Sequence, residues 1–373
     1  MAIGPLTSVP AIPGARPVEP VSEPAAVRAV IGRLAALAQA GLGAGKAQAP
    51  LTLEAALARA VAEAVQSAAP RQGGLGPLMA DLAQALGAPA LPAPAREAAA
   101  RLLGLQTPLT PEIEGADVKQ AAARSGLFLE ARLAGQPATA ATLGPDLKAA
   151  LVSARAVFTA WAEATEAEVP LLQAAPTPSR PAAPQAPPPP PFRNGPVDAQ
   201  APAAPPPPAE PRALARRLLR ETEAAVARQE LMQAASLPNA RAADPAEPPG
   251  RTHWLFEVPF ATPQGTAVAQ FEVERDGGGD PAGPGETAPA WRVRFALDVE
   301  PFGPVHVQVT LSGARAGVQL WAERAETAER LRAAQALLRA DLEAADYAPD
   351  VAVSAGAPSR PAAAPGLFVD RSS

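Results

Sequence analysis

The sequence predicts an α+β domain at its C-terminal end. Its sheet is antiparallel or mixed, of about five to six strands, and it carries one long helix. The N-terminal half is expected to be weakly helical, with long disordered proline- and alanine-rich linkers. Three observations lead to this. Between Trp291 and Val299, Val305 and Leu311, and Val318 and Ala322, apolar residues alternate with other residues. A period of two belongs to a strand with one buried face. The period then lengthens to three and four at Leu331, Ala334, Leu338, Leu342 and Ala345, which is one face of a helix. Finally, all fourteen aromatic residues lie after residue 127, and nine of them fall between Trp254 and Tyr347. The side chains that bury the most area therefore sit in the last third of the chain.

Length alone allows two average domains in 373 residues. The 48 prolines and the alanine-heavy apolar fraction argue against filling that length with core. A net charge of −5 with no basic field excludes nucleic acid as the expected partner. Without cysteine there is no disulfide, thiolate nucleophile or cysteine metal site. No apolar run reaches the roughly 18–20 residues of a membrane span. The first twenty residues carry five prolines and neither a basic n-region nor an apolar h-region. No secretory signal is expected there, so export, if it occurs, takes another route.

Along the chain, residues 1–22 are expected to be disordered. Residues 23–172 read as loosely helical. A first helix runs from Glu23 to about Ala40 on Val27, Val30, Ile31, Leu34 and Leu37. A second starts near Thr52 with Leu53, Leu57, Val61 and Val65 at i+4 spacing. Shorter pieces follow at Leu78, Leu82 and Leu86 and at Ala95–Leu103, each broken by Gly or Pro. Such narrow stripes either pack loosely together or form on binding a partner. The stretches Ser125–Ala131 and Asp146–Leu151 lead into a helix carrying Phe158 and Trp161 on one side. Those aromatics, with Phe128, either close a small helical subdomain or dock a partner.

Residues 173–211 are a proline-rich linker. Its polyproline runs at Pro187–Pro191 and Pro205–Pro208 form a semi-rigid spacer on the order of 100 Å long. Residues 212–236 are a charged helix with a thin stripe of Leu214, Leu218, Ala225 and Leu231, and 237–250 form a second linker. The C-terminal domain spans 251–356. Trp254, Phe256, Val258 and Phe260 alternate in its first strand, and Pro259, which lacks a donor, marks an edge. Thr266–Glu274 alternates imperfectly, as if around a bulge. Asp276–Pro289 is a long loop, Val351 and Val353 suggest a short last strand, and 357–373 is a loose tail.

No catalytic constellation is present. The only histidines are His253 and His306, and His306, between Val305 and Val307, reads as a surface residue on the outward side of its strand. Asp276–Asp280 lacks the ligand series of a calcium loop. Glu323, Glu326 and Glu329 suit a helix N-terminus. No nucleophile motif, phosphate loop or dinucleotide fingerprint occurs. The expectation is no enzyme, no metal, no cofactor and no small-molecule ligand.

One pattern is specific as a whole. Leu297, Pro301, Gly303, Val305, Val307, Val309 and Leu311, followed by the strand at Val318–Glu323 and the helix leucines Leu331, Leu337, Leu338 and Leu342, resemble the C-terminal domain of the flagellar hook-length control protein family. Phe302 stands where that family usually has leucine, Pro301 is displaced relative to Leu297, and Pro304 follows the glycine. Ser125–Ala131 and Asp146–Leu151 are similar to segments upstream in some members. The resemblance implies a protein of the cytoplasm that is exported through the flagellar type III apparatus. It also implies hook and hook-cap subunits as N-terminal partners, and the cytoplasmic domain of the export gate's switch component as C-terminal partner. The turn at Pro301–Pro304 and the domain's first strand are the expected contacts. Two other readings stay open: a cytosolic proline-rich scaffold, and an envelope-spanning energy transducer, which requires a membrane anchor.

Overall fold

The computed structural model describes residues 53–87, 91–135, 139, 143–167, 187–193, 195–203, 210–237, 252–276 and 290–359. The expected disordered start, the helix at 23–40, most of the loop after Asp276 and the tail beyond 359 lie outside the described residues.

Among the described residues, seven helices precede the main sheet: α1 (Leu53–Ala68), α2 (Leu75–Leu86), α3 (Ala93–Leu103), α4 (Gly115–Arg124), α5 (Leu129–Gly135), α6 (Leu147–Ala167) and α7 (Pro211–Ser236). A two-residue strand, β1 (Thr107–Pro108), lies between α3 and α4. Then come β2 (Thr252–Thr262), β3 (Gly265–Arg275), β4 (Ala290–Val299), β5 (Gly303–Ser312), β6 (Arg315–Ala322), α8 (Ala325–Ala344) and β7 (Ala348–Ala355). Their caps follow the local sequence. Pro94 and Pro211 stand at the first turns of α3 and α7, where a missing N–H costs nothing. Glu114 and Asp117 form a reciprocal capping box on α4.

The seven strands form one sheet in chain order. β2 to β6 make an antiparallel meander, while β1 joins β2 and β7 joins β6 in parallel. The last parallel pair is connected through α8, as a crossover requires. α8 covers the side of the sheet on which Val318 and Val351 are buried, whereas Gln319 and Ala352 opposite are exposed. At the other end of the sheet that same side carries an aromatic ladder. Phe256 stacks on Phe271 at 5.3 Å and Phe271 on Phe295 at 5.0 Å, directly across the strands. Leu109, Ile113, Val118 and Leu127 close over it.

Several expectations are corrected. The helical stripes do not stay loose. Leu75, Leu78 and Leu82 of α2, Leu102 of α3, Leu147, Leu151, Phe158 and Trp161 of α6, and Leu214 and Leu218 of α7 share one buried core, and Val268 of β3 joins it. Each stripe is too narrow to be stable alone, but four of them enclose one another, and small alanines allow close approach. α1 is the partial exception: Ala68 packs on Ala227 and Leu231, while Leu57 stays exposed. The charged helix at 212–236 is likewise an interior element, with Thr222, Arg228 and Gln229 buried as well as its leucines.

No bulge interrupts β3, whose pairing with β2 runs unbroken from Thr252↔Arg275 to Thr262↔Gly265. Its alternation looked imperfect because both of its sides are buried. Pro259 stands at the sheet edge as expected, paired to Val268 of β3, with the short β1 joining β2 only beyond it at Phe260 and Ala261.

Candidate interaction site

The hairpin turn between β4 and β5 is seated on the N-terminus of α8. The Glu300–Pro301 peptide is cis. Arg324 pairs with Glu300 through Nη2 and Oε1 at 2.6 Å and donates from Nη1 to Pro301 O at 2.6 Å. Thr327 Oγ1 donates to Phe302 O at 2.6 Å. Gly303 has φ +73°, and a Cβ there would run into the Arg324 side chain, so both backbone and space call for glycine. Phe302 itself faces outward, 42% exposed, with the Arg330 guanidinium 5.6 Å from its ring centroid. Pro304 pairs across to Asp298. Burial pushes the Asp298 carboxyl up, and the nearby Glu300 and Glu323 charges add to this against Arg324. The Arg324 hydrogen bond holds Glu300 down.

From this turn the family-pattern residues continue along one side of the sheet. Leu297 faces Val305 across β4 and β5, and Val307 faces Leu320 across β5 and β6. Leu311, Leu331, Leu338 and Leu342 are half-buried like these. Leu337 is 66% exposed on the outer surface of α8. Apart from the exposed Leu337 and Phe302, the family-pattern leucines and valines are thus half-buried apolar side chains.

The upstream aromatics are placed differently. Phe158 and Trp161 are buried in the helical core and are not presented for docking. Phe128 is half-buried, edge-on to Trp254 at 6.4 Å. Its segment is tied inward, with Gln233 Nε2 donating to Gly126 O at 3.1 Å and Lys148 paired with Glu130. In the first strand Leu255, Phe256, Val258 and Phe260 are all buried, while Trp254 is half-buried.

His306 is not a surface residue. It stands on the side opposite Val305 and Val307, as the alternation requires, but that side is covered. Its Nδ1 lies 3.3 Å from Val197 O and its Nε2 3.0 Å from Glu323 Oε1. The cover is the supposed spacer: residues 187–193 and 195–203 lie against the fold as a strap. Sequence reading missed this because single side chain-to-carbonyl bonds leave no periodic trace.

The same side of the sheet holds a buried polar cluster. His253, Glu272 and Glu274, all buried, bring three ligand-type atoms within 4.8 Å of one another. Arg294 pairs with Glu272, and Arg292 with Glu274 at 3.1 Å. His253 bridges Ala235 O at 3.2 Å and Glu272 at 2.7 Å. The carboxylates are thus matched by guanidinium groups, and the trio is accounted for as a clamp between α7 and the sheet. Arg228 makes a second clamp, pairing with fully buried Glu257 at 2.6 Å. No helix among the described residues is long and apolar enough to cross a membrane.

Residues 284–362 match the family model of the flagellar hook-length control protein FliK. The match takes in β4, the Phe302 turn, β5, β6, α8 and β7, while β1, β2 and β3 complete the sheet from outside it. No curated protein and no solved structure matches the chain.

Proposed function

With a hook-length control domain at residues 284–362 as premise, we propose that this chain sets flagellar hook length and switches export from hook to filament subunits. In this reading the chain is made in the cytoplasm and leaves through the flagellar type III apparatus. Upstream segments meet hook and hook-cap subunits. The C-terminal domain meets the cytoplasmic domain of the export gate's switch component, with the Phe302 turn and the family-pattern residues from Leu297 to Leu342 as its contact surface. The work is binding, not catalysis.

The observation that supports the surface is the exposure of Phe302 on a turn anchored by Arg324 and Thr327. A rigidly held aromatic presents contact area with little entropy left to lose. The folded helical half bears on the ruler role. Its longest helix, α7, has 26 residues, or about 39 Å at 1.5 Å per residue. A chain of about 250 residues spans up to roughly 800 Å when extended. In transit the same residues span about 375 Å if helical, and in this reading the chain in transit, extended or helical, sets the length rather than the compact form.

The test is hook length in cells lacking the gene. Overlong hooks without filaments are expected. Hooks of normal length bearing filaments would overturn the proposal and favour a non-exported proline-rich scaffold.

A further inference from the structure

The strap has neither helix nor strand, yet its carbonyls meet side-chain donors from three separate elements. Gln72 Nε2, in the turn before α2, donates to Pro188 O. Arg228 Nη1, on α7, donates to Pro189 O at 3.1 Å. The His306 ring nitrogen, on β5, lies 3.3 Å from Val197 O. All three side chains are buried. Gln200 then closes the strap on Glu257. A run of prolines has fixed φ and carbonyls without internal partners. It is recognised by donors already in place and by a wall against which its rings can lie.

The donors are in place here, and Trp321 lines a cavity beside the strap. Between Pro196–Asp198 and the sheet residues Gln308, Gln319 and Trp321 lies a cavity of about 260 Å³, and Trp321 is the cross-strand neighbour of His306. The turn before α2 is also shaped for the strap. A Cβ on Gly74 would stand 2.5 Å from Gln200 Oε1 and 3.5 Å from the Pro188 ring, and the three atoms nearest to it all belong to the strap.

We propose that this groove is a binding site for extended proline-rich chain, with residues 187–193 and 195–200 as its resident occupant. A proline-rich peptide in trans takes the same seat once the strap leaves it. The proposal goes beyond the hook-length reading and does not depend on it. Tethering gives the resident strap a high effective concentration, so a free peptide competes poorly while the strap is in place.

The test replaces residues 187–200 of the full chain with Gly/Ser of equal length and titrates it with the synthetic peptide PPPPPFRNGPVDAQ. Saturable binding is expected, at least ~10-fold weaker to the intact chain and weakened again by His306→Ala in the replaced chain. A folded replaced chain that ignores the peptide, or an intact chain that binds it equally well, would overturn the proposal. If replacement prevents folding, His306→Ala in the intact chain decides instead. Tryptic cleavage after Arg193 should then accelerate at least ~10-fold, with cleavage after Arg339 on α8 unchanged. An unaltered rate at Arg193 overturns the proposal.

Discussion

Replacing Arg228 with alanine tests how the helical half is joined to the sheet. Arg228 is 2% exposed and Glu257 fully buried. The guanidinium donates to Glu257 Oε1 at 2.6 Å, Gln72 Oε1 at 2.9 Å, Pro189 O at 3.1 Å and Gln270 Oε1 at 3.2 Å. Alanine removes the cation and leaves the carboxylate where water does not reach, with the Gln200 amide as a neutral donor. Breaking a buried pair from one side costs about 3–5 kcal/mol. A domain of ordinary stability has about 5–15 kcal/mol in total, so the variant should lose at least about a fifth of it. Urea denaturation of the full chain, followed by far-UV circular dichroism, measures the loss. The double variant R228M/E257L removes both charges while keeping most of the volume, and should recover most of that loss. A loss below about 1 kcal/mol for R228A, the size of an exposed pair, would refute the reasoning. So would a double variant no more stable than the single one, because the cost would then not come from the stranded charge.

Three further outcomes follow from particular residues. Phe158→Ala should destabilise by about 3–5 kcal/mol through the cavity it leaves in the helical core, whereas Leu337→Ala on the exposed surface of α8 should stay within about 0.5 kcal/mol; parallel denaturation curves check both. Gly303→Ala forces a side chain into positive φ against Arg324, and should cost at least about 1–2 kcal/mol with a lowered melting temperature. Burial, with the neighbouring Asp81 charge, pushes the Glu221 carboxyl up to about 8. The folded chain therefore keeps a proton that the unfolded chain has lost. This contribution to stability is complete below the ordinary carboxylate range and is lost as pH rises towards and through about 8. Melting temperature against pH should fall across that window in the native chain and be flatter in Glu221→Gln; equal slopes would contradict the assignment.

The strands of the C-terminal sheet were legible because alternation survives wherever one side is buried. The runs at Trp291–Val299, Val305–Leu311 and Val318–Ala322 became β4, β5 and β6 with boundaries extended by at most a few residues. Where both sides are buried, as in β3, alternation blurs, and an apparent bulge is only the helical core pressing on the second side. The helices were legible as segments through their leucine spacing, but their packing was not. A stripe of Leu78, Leu82 and Leu86 looks the same whether it lies alone or against three neighbours. Phe158 and Trp161 carry no local mark that separates a core pair from a docking pair; burial decides, and burial depends on α2, α3 and α7 meeting there.

By itself, the sequence determined the α+β class, the order of strands and helix after residue 252, the absence of cysteine chemistry and the pattern resembling hook-length control domains. These are local properties, written in period, composition and turn residues. Only the tertiary structure decided that the N-terminal helices and the proline-rich stretch belong to the same packed body as the sheet. That outcome rests on contacts between residues far apart in the chain: Arg228 with Glu257 and Gln72, His253 with Ala235 and Glu272, and His306 with Val197. Each is a single polar side chain reaching partners on other elements, and such isolated contacts leave no period in the sequence.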